Sequence, residues 1–563
     1  MTQLQTYLPI QMPKELYAYG KRASGETHGV VLTKPHIVDL ILDLAGYTTD
    51  KDLIKIRLLE PSCGTGAFLM RAVERLMLST KRHGTKLGLL SDCITAFDID
   101  PEHVAASRET VEAALMAGGV SALLARKLAA NWVREGDFLL AALGQYDVVV
   151  GNPPYIRIEQ LSPRLQAEYR RRYISLFDRA DLYVAFIENG LNLLKPNGTL
   201  SFICADRWIL NRYGALLRKA IADRFQVRCY IDLHNTSPFE SDVIAYPAIF
   251  AISPGKSTSV PVFKLQTASV SECAAVSRAF SGKKHSTGDL KVYNYDTWFK
   301  DDEPWVLGHP ESLKVLRSLE AKFNPLEADG LTKVRIGVAT GNDAVYIVGK
   351  DTAIEKDRLV PLLMRADIEN GKINNGGRFV INTFDPSGKI VDLAKYPGLR
   401  KYLQKHVEAV KHRHVAQNNT ASWYRTIDRV YPEMVSAPKL LIPDIAGANE
   451  VILDKGNFYP HHNLYFITST SWDMEVLGGL LSSKVALFFI WSYAVRMHGN
   501  YLRFQAQYLR KIRLPDPQKL PAKLTQSIRT AFRKRDFAAL DTLALQAFEL
   551  KSLPEFEFVD TRR

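Results

Sequence analysis

The chain has 563 residues, too many for one ordinary hydrophobic core, so two domains are expected. Hydrophobic residues make up 46% and charged residues 24%, a globular balance, and the formal net charge of +13 suits a polyanionic partner such as nucleic acid. No apolar run is long enough to span a bilayer, and the opening Met1 to Leu16 lacks the basic start and apolar core of a signal peptide, so a cytoplasmic protein with no membrane contact is expected.

The five cysteines, Cys63, Cys93, Cys204, Cys229 and Cys273, are scattered and never spaced CxxC. They suggest neither a zinc site nor a disulfide framework, and no metal is expected.

Residues 1–50 read as a helical lead-in, with apolar residues at helical spacing after Pro35. Over 51–255 short β-rich runs alternate with amphipathic helices. The runs are IRLLE, CITAFDID, YDVVVGNPP, GTLSFICA, VRCYIDLH and AYPAIFAIS. This alternation predicts a doubly wound α/β domain with a largely parallel sheet. Residues 256–330, rich in Ser, Lys, Gly and Pro, read as a connecting region. Residues 331–563 mix strands, turns and helices and form the second domain, with a basic helical end.

The run from Leu58 through Glu60, Ser62, Cys63, Gly64 and Gly66 to Phe68 reads as strand, glycine turn and helix start. Glycines let a backbone approach a ligand at the carboxyl end of the first strand. The Lys-Ser/Thr pair of a phosphate loop is missing, which disfavours a nucleotide triphosphate. Glu60 and the loop amides instead suit the ammonium and carboxylate of an amino-acid cofactor. A second strand ends in Phe97-Asp98-Ile99-Asp100-Pro101. Asp98 is placed to accept two ribose hydroxyls, with Ile99 beside it, whereas Asp100 reads as a helix cap before Pro101. Asp137 can accept from an adenine amino group while Phe138 covers its face. Alone, a GxG turn or an acid before a helix is ordinary; the ordered series points to S-adenosylmethionine.

Asn152-Pro153-Pro154-Tyr155 is the most specific signal. An aryl or amide nitrogen is a weak nucleophile because its lone pair is delocalised. The Asn152 side-chain oxygen and the Pro153 carbonyl can hold its two N–H groups and aim the lone pair, which is positioning with electrostatic preorganisation. Pro154 stiffens the backbone, and Tyr155 offers a face to a planar substrate and a quadrupole to a nearby sulfonium. A base inside a duplex must be flipped out to reach such a pocket. Phe239 is the candidate second stacking partner; its ordinary alternative is core packing.

On these motifs the chain resembles the gamma-class adenine-N6 DNA methyltransferases of the TaqI-like and Eco57I-like type. The resemblance covers most of the chain in linear order. His28 to Pro35 is similar to the family's N-terminal cofactor motif and supplies Thr33 as a cofactor residue. Glu60 to Gly66, Asp98, Asp137-Phe138 and Asn152 to Tyr155 match its cofactor and catalytic motifs. Ala180 to Glu188 and Pro196 to Gly198 are similar to later ones, and Phe239 stands where the family places a base-stacking aromatic. The resemblance implies a Rossmann-like class I S-adenosylmethionine-dependent methyltransferase domain with a C-terminal mixed α+β target-recognition domain. It implies methylation of double-stranded DNA at adenine N6, as the modification part of a restriction-modification or phage-defence system; a separate cognate restriction endonuclease and a monomeric enzyme are expected.

Basic residues interleaved with aromatics mark the C-terminal half. Lys411, Arg413, Arg425, Arg496, Arg503 and Arg510 are the candidate phosphate contacts; the alternative for each stretch is a solvated face. Asp444, Glu450, Asp454 and Lys455 loosely suggest a metal nuclease, but the acid-x-Lys spacing is wrong. Adenine methylation of RNA and methylation of a glutamine side chain use the same pocket chemistry and remain as alternatives. A DNA-binding protein without enzymatic activity would leave the catalytic motif unexplained.

Overall fold

The computed structural model describes residues 31–560 apart from 235, 242–245, 257–258, 283–289, 370, 375 and 495–500. His28 and Arg496, both singled out in the sequence, lie outside the described residues. The chain divides into two compact units, Met1–Val306 and Leu307–Arg563.

In the first unit the strands are β1 (Leu58–Glu60), β2 (Ile94–Asp98), β3 (Val133–Glu135), β4 (Tyr146–Gly151), β5 (Leu194–Ala205), β6 (Phe225–Asp232), β7 (Pro247–Pro254), β8 (Val260–Lys264) and β9 (Lys291–Tyr295). They form one sheet in the order β3-β2-β1-β4-β5-β7-β6-β8-β9. β3, β2, β1, β4 and β5 run parallel, while β7 is antiparallel to both its neighbours. Every residue of β1 and β2 is buried, as expected for strands covered on both faces.

The helices are α1 (Pro35–Leu44), α2 (Ala67–His83), α3 (Pro101–Ala117), α4 (Ala122–Trp132), α5 (Pro163–Arg172), α6 (Tyr183–Asn192), α7 (Ala215–Arg224) and α8 (Val270–Phe280). α2 starts at Gly66 and stops at Gly84, both left-handed, and buries Phe68, Leu69, Ala72, Val73, Leu76 and Met77 along one stripe. Burying each large side chain stabilises the fold by about 1.5–3 kcal/mol. Asp100 caps α3 by accepting from the Glu102 amide, with Pro101 in the first turn, as its sequence suggests. α1 joins the same core through Ile37, Val38, Leu40 and Ile41.

One boundary is corrected. Residues 256–330 are not a connector: β8 pairs with β6, β9 pairs with β8, and α8 buries Cys273 and Val276. Composition misled because β9 buries only Tyr295 and so lacks an apolar signature.

The second unit contains an antiparallel sheet ordered Lys333–Ile336, Leu464–Thr468, Lys439–Pro443, Ile452–Asp454. A second sheet is built from Ile347–Gly349, Arg378–Ile381, Leu359–Leu363 and Tyr459–Pro460. Met474–Leu481 and Lys484–Tyr493 are nearly all buried, and Ala522–Lys534 and Phe537–Ala547 form the helical end. Among the described residues no single helix is long and apolar enough to cross a membrane.

Candidate active site

The carboxyl ends of β1, β2, β3 and β4 gather the candidate residues, where open α/β sheets bind ligands. Glu60 ends β1 and is 1% exposed. Its Oε2 has no hydrogen-bond partner among the described residues. Burial, then the charge of Asp98, pushes its carboxyl well above the usual range. Ionising a buried carboxyl that faces a second acid is unfavourable, and an ammonium group beside it would relieve both effects. Gly64 and Gly66 have φ of +52° and +94°, and a Cβ on Gly66 would lie 3.2 Å from Ser107 Oγ. Ser107 in turn donates to the Gly64 carbonyl at 2.7 Å. Ser62 is half-buried beside this turn, while Cys63 is buried and its thiol is raised chiefly by burial. Such a thiol does not act as a nucleophile.

Asp98 ties the second strand to the first turn. It accepts from the Gly64 amide at 2.8 Å and the Asp100 amide at 3.0 Å, and lies 3.3 Å from His103 Nδ1. That hydrogen bond raises the His103 ring. Oδ1 takes the Asp100 and His103 contacts, while Oδ2 takes the Gly64 amide and keeps a further lone pair for a ribose hydroxyl. Ile99 is 38% exposed and is an open apolar surface next to it. Asp137 accepts from the Leu139 amide at 2.8 Å and from Tyr169 Oη at 2.7 Å. Tyr169, on α5, had no sequence signal because it sits thirty-two residues away. Phe138 corrects an expectation. It is 2% exposed, packed between Phe97 and Phe186, and belongs to the core rather than to an open face.

Asn152 follows β4. Its Nδ2 donates to the Val31 carbonyl at 3.0 Å and to Thr33 Oγ1 at 3.4 Å. Its Oδ1 is buried and has no partner among the described residues. The amide is therefore locked by its nitrogen and offers its oxygen. Thr33, expected at the cofactor, here holds the catalytic-motif amide. Pro153 is buried and Pro154 half-buried, and the chain beyond them pairs with residues 180–182 through the Leu182 amide and the Ile156 carbonyl at 2.7 Å. Tyr155 Oη is also buried without a partner among the described residues, and burial raises it well above the usual tyrosine range.

Tyr155 and Phe239 do meet, with ring centroids 6.5 Å apart at 77°. They are edge-to-face, not two parallel plates, the arrangement quadrupoles favour. Phe239 is 5% exposed and bridges to Thr33. Lys34, next to Thr33, donates from its backbone to the Pro238 carbonyl at 3.1 Å and from Nζ to the Ser237 carbonyl at 2.7 Å.

The candidate phosphate contacts divide. Lys411 is exposed, with Nζ 5.8 Å from the centre of the Trp423 ring. Arg425 is half-buried beside Phe384. Arg503 is paired with Asp444 through two nitrogens, at 3.1 and 2.6 Å. Arg510 binds Glu327 at 2.9 Å and the Val334 carbonyl at 2.8 Å. Arg413 is corrected. All three of its nitrogens are engaged, with the carbonyls of Val410, Thr340, Trp423 and Arg425 and with Tyr346 Oη. It knits the unit together instead of facing a phosphate. The nuclease-like acids are likewise used internally: Asp454 binds Lys439 at 2.9 Å and Glu450 binds Arg365 at 3.1 Å. Asp343, His461 and His462 could together hold an ion, but Asp343 and His461 already share a 3.0 Å hydrogen bond.

Residues 92–239 match the family described as the Eco57I restriction-modification methylase. Type II methyltransferase M.BstVI of Geobacillus stearothermophilus is 44% identical over 548 residues, covering 94% of this chain and 98% of that protein. Type II methyltransferase M.PaeR7I of Pseudomonas aeruginosa is 42% identical over 533 residues, covering 93% and 92%. The fold is shared, at TM-score 0.63 and 12% identity, with the Type IIL restriction-modification enzyme MmeI solved in complex with DNA, over 95% of this chain and 77% of that one. The Glu60–Asp98 pair, the positive-φ glycine turn and the exposed Ile99 fit a sulfonium amino acid carrying a nucleoside. The chain belongs to the Type II methyltransferases of restriction-modification systems, enzymes that methylate DNA with S-adenosylmethionine as donor.

Proposed function

We propose that this chain methylates the exocyclic N6 of an adenine flipped out of double-stranded DNA. The observation that carries the reading is Asn152, whose amide nitrogen is tied to Val31 and Thr33 while its oxygen stays buried and unpaired among the described residues. That oxygen and the Pro153 carbonyl are two acceptors for the two hydrogens of an exocyclic amine. Accepting both draws the nitrogen away from planarity and directs its lone pair. Bound S-adenosylmethionine supplies an electrophilic methyl group. Glu60 takes its ammonium, Asp98 its ribose, and Ile99 and Asp137 its adenine. Ser62, Cys63, Gly64 and Gly66 shape the turn around it. Tyr155 and Phe239 hold the flipped base once their rings part, with stacking worth about 1–3 kcal/mol against an unstacking cost of a few kcal/mol.

The second unit then serves as the target-recognition region, with Lys411 and Arg425 as the better-placed cations. Arg496 stays a candidate from sequence alone. The chain is read as a cytoplasmic monomer whose cognate restriction endonuclease is a separate chain; Asp454 and Glu450, each paired within the unit, are not set up as a nuclease site.

Incubating the protein with methyl-labelled cofactor and DNA, RNA or protein tests the substrate class. Label is expected in double-stranded DNA. Asn152→Ala should abolish transfer and leave DNA retention nearly unchanged. Label in RNA or protein, or full activity of Asn152→Ala, would overturn the reading.

A further inference from the structure

His234, with a third of its side chain exposed, is a group the methyl transfer does not use. It stands two residues beyond the end of β6 and five before Phe239. Its Nδ1 lies 2.7 Å from Asp232 Oδ1 and its Nε2 lies 3.0 Å from Asp206 Oδ2. Asp232 ends β6, and Asp206 is the first residue after β5. Both are under a tenth exposed. β5 and β6 are not neighbours, since β7 runs between them. The ring therefore spans the mouth of three strands at the carboxyl ends of β5 and β6.

A carboxylate only accepts hydrogen bonds. Satisfying one at each ring nitrogen requires both nitrogens to carry hydrogen, so the geometry calls for imidazolium. The other groups facing it agree. Tyr246 meets the ring edge-on at 5.2 Å, Tyr230 Oη sits 3.5 Å from Asp206 Oδ2, and Lys264 on β8 acts on Asp232. Burial opposes the charge, but Asp206 and Asp232 outweigh it and raise the ring from 6.5 to about 10. Two buried carboxylates bridged by a partly exposed imidazolium are weak evidence for stability, and a fixed geometry is the role taken for them here.

We infer that His234, bridged to Asp206 and Asp232, is a positioning residue that anchors the near end of the segment carrying Phe239. The far end is held independently, because the Glu240 amide donates to the Leu32 carbonyl at 3.0 Å and Phe239 bridges Thr33. With both ends tied, Phe239 is kept within reach of Tyr155. This rests on the reading of Phe239 as a stacking partner of the flipped base.

The test is a double-mutant cycle on the full-length protein, reading the single-turnover methylation rate on duplex DNA together with dissociation constants for cofactor and duplex. His234→Leu is expected to slow transfer about tenfold with both dissociation constants within about threefold of the parent. If it acts through Phe239, the double variant with Phe239→Ala should be no slower than Phe239→Ala alone. Additive losses, or a parental rate for His234→Leu, would overturn the inference while leaving Phe239 in place. A parental rate for Phe239→Ala would overturn the stacking reading and this inference with it. Should His234→Leu fail to fold, His234→Gln, which keeps a neutral donor without the charge, is read against the same outcomes.

Discussion

The Asn152 amide nitrogen lies 3.0 Å from the Val31 carbonyl oxygen and 3.4 Å from Thr33 Oγ1, so a segment over a hundred residues upstream orients the amide that follows β4. Thr33 is 4% exposed, and valine matches its shape. Thr33→Val removes one acceptor and leaves the Val31 carbonyl. The expected result is a fall in kcat of about 3–10-fold with unchanged cofactor affinity, measured by single-turnover kinetics and calorimetry. A weakened cofactor affinity at constant kcat would instead return Thr33 to the cofactor.

Glu60 gives a pH dependence whose sign is fixed. Its carboxyl is raised in the free protein by burial and by Asp98. An ammonium partner favours the ionised form, so cofactor binding must release a proton wherever Glu60 was still protonated. Affinity is expected to fall as pH drops below the raised value. Calorimetry in two buffers of different ionisation enthalpy measures that proton directly. Glu60→Gln should bind the cofactor more weakly and lose the proton release.

Lys439 and Asp454 form an ion pair whose side chains are 0% exposed, and Lys439 Nζ also donates to the Val435 and Phe458 carbonyls. Removing the lysine strands a buried carboxylate. Lys439→Met should cost about 3–5 kcal/mol in denaturant unfolding. A loss under about 1 kcal/mol would mean water reaches Asp454.

Salt dependence separates the two neighbouring cations. Lys411 is exposed, whereas Arg413 has every nitrogen engaged within its unit. Lys411→Ala should reduce the slope of log affinity against log salt by about one. Arg413→Ala should lower the melting temperature and leave that slope alone. The reverse pattern would exchange their roles.

What the sequence made legible follows from distance along the chain. Glu60 with its glycine turn, Asp98 and Asn152 each end a strand, and strand ends carry local signatures, so the placement of the site at the sheet's carboxyl edge could be read directly. Asp100 as a cap was legible for the same reason. β3 escaped notice because three residues, two of them exposed, show no alternation. The Asn152–Thr33, Asp137–Tyr169 and His234–Asp206 contacts join residues that only folding brings together. Phe138 looked like a pocket wall because residue type does not report which side of a strand end is covered. Arg413 looked like a phosphate contact because charge pattern cannot distinguish a cation facing water from one folded onto carbonyls.

The central claim is that the Asn152–Pro153 acceptors receive an adenine amine. Duplex DNA treated with the protein and labelled S-adenosylmethionine, digested to nucleosides and resolved by mass spectrometry, locates the transferred methyl. The expected product is N6-methyladenosine as its deoxynucleoside, absent with Asn152→Ala. Methyl on a cytosine, or at a ring position of adenine, would contradict it.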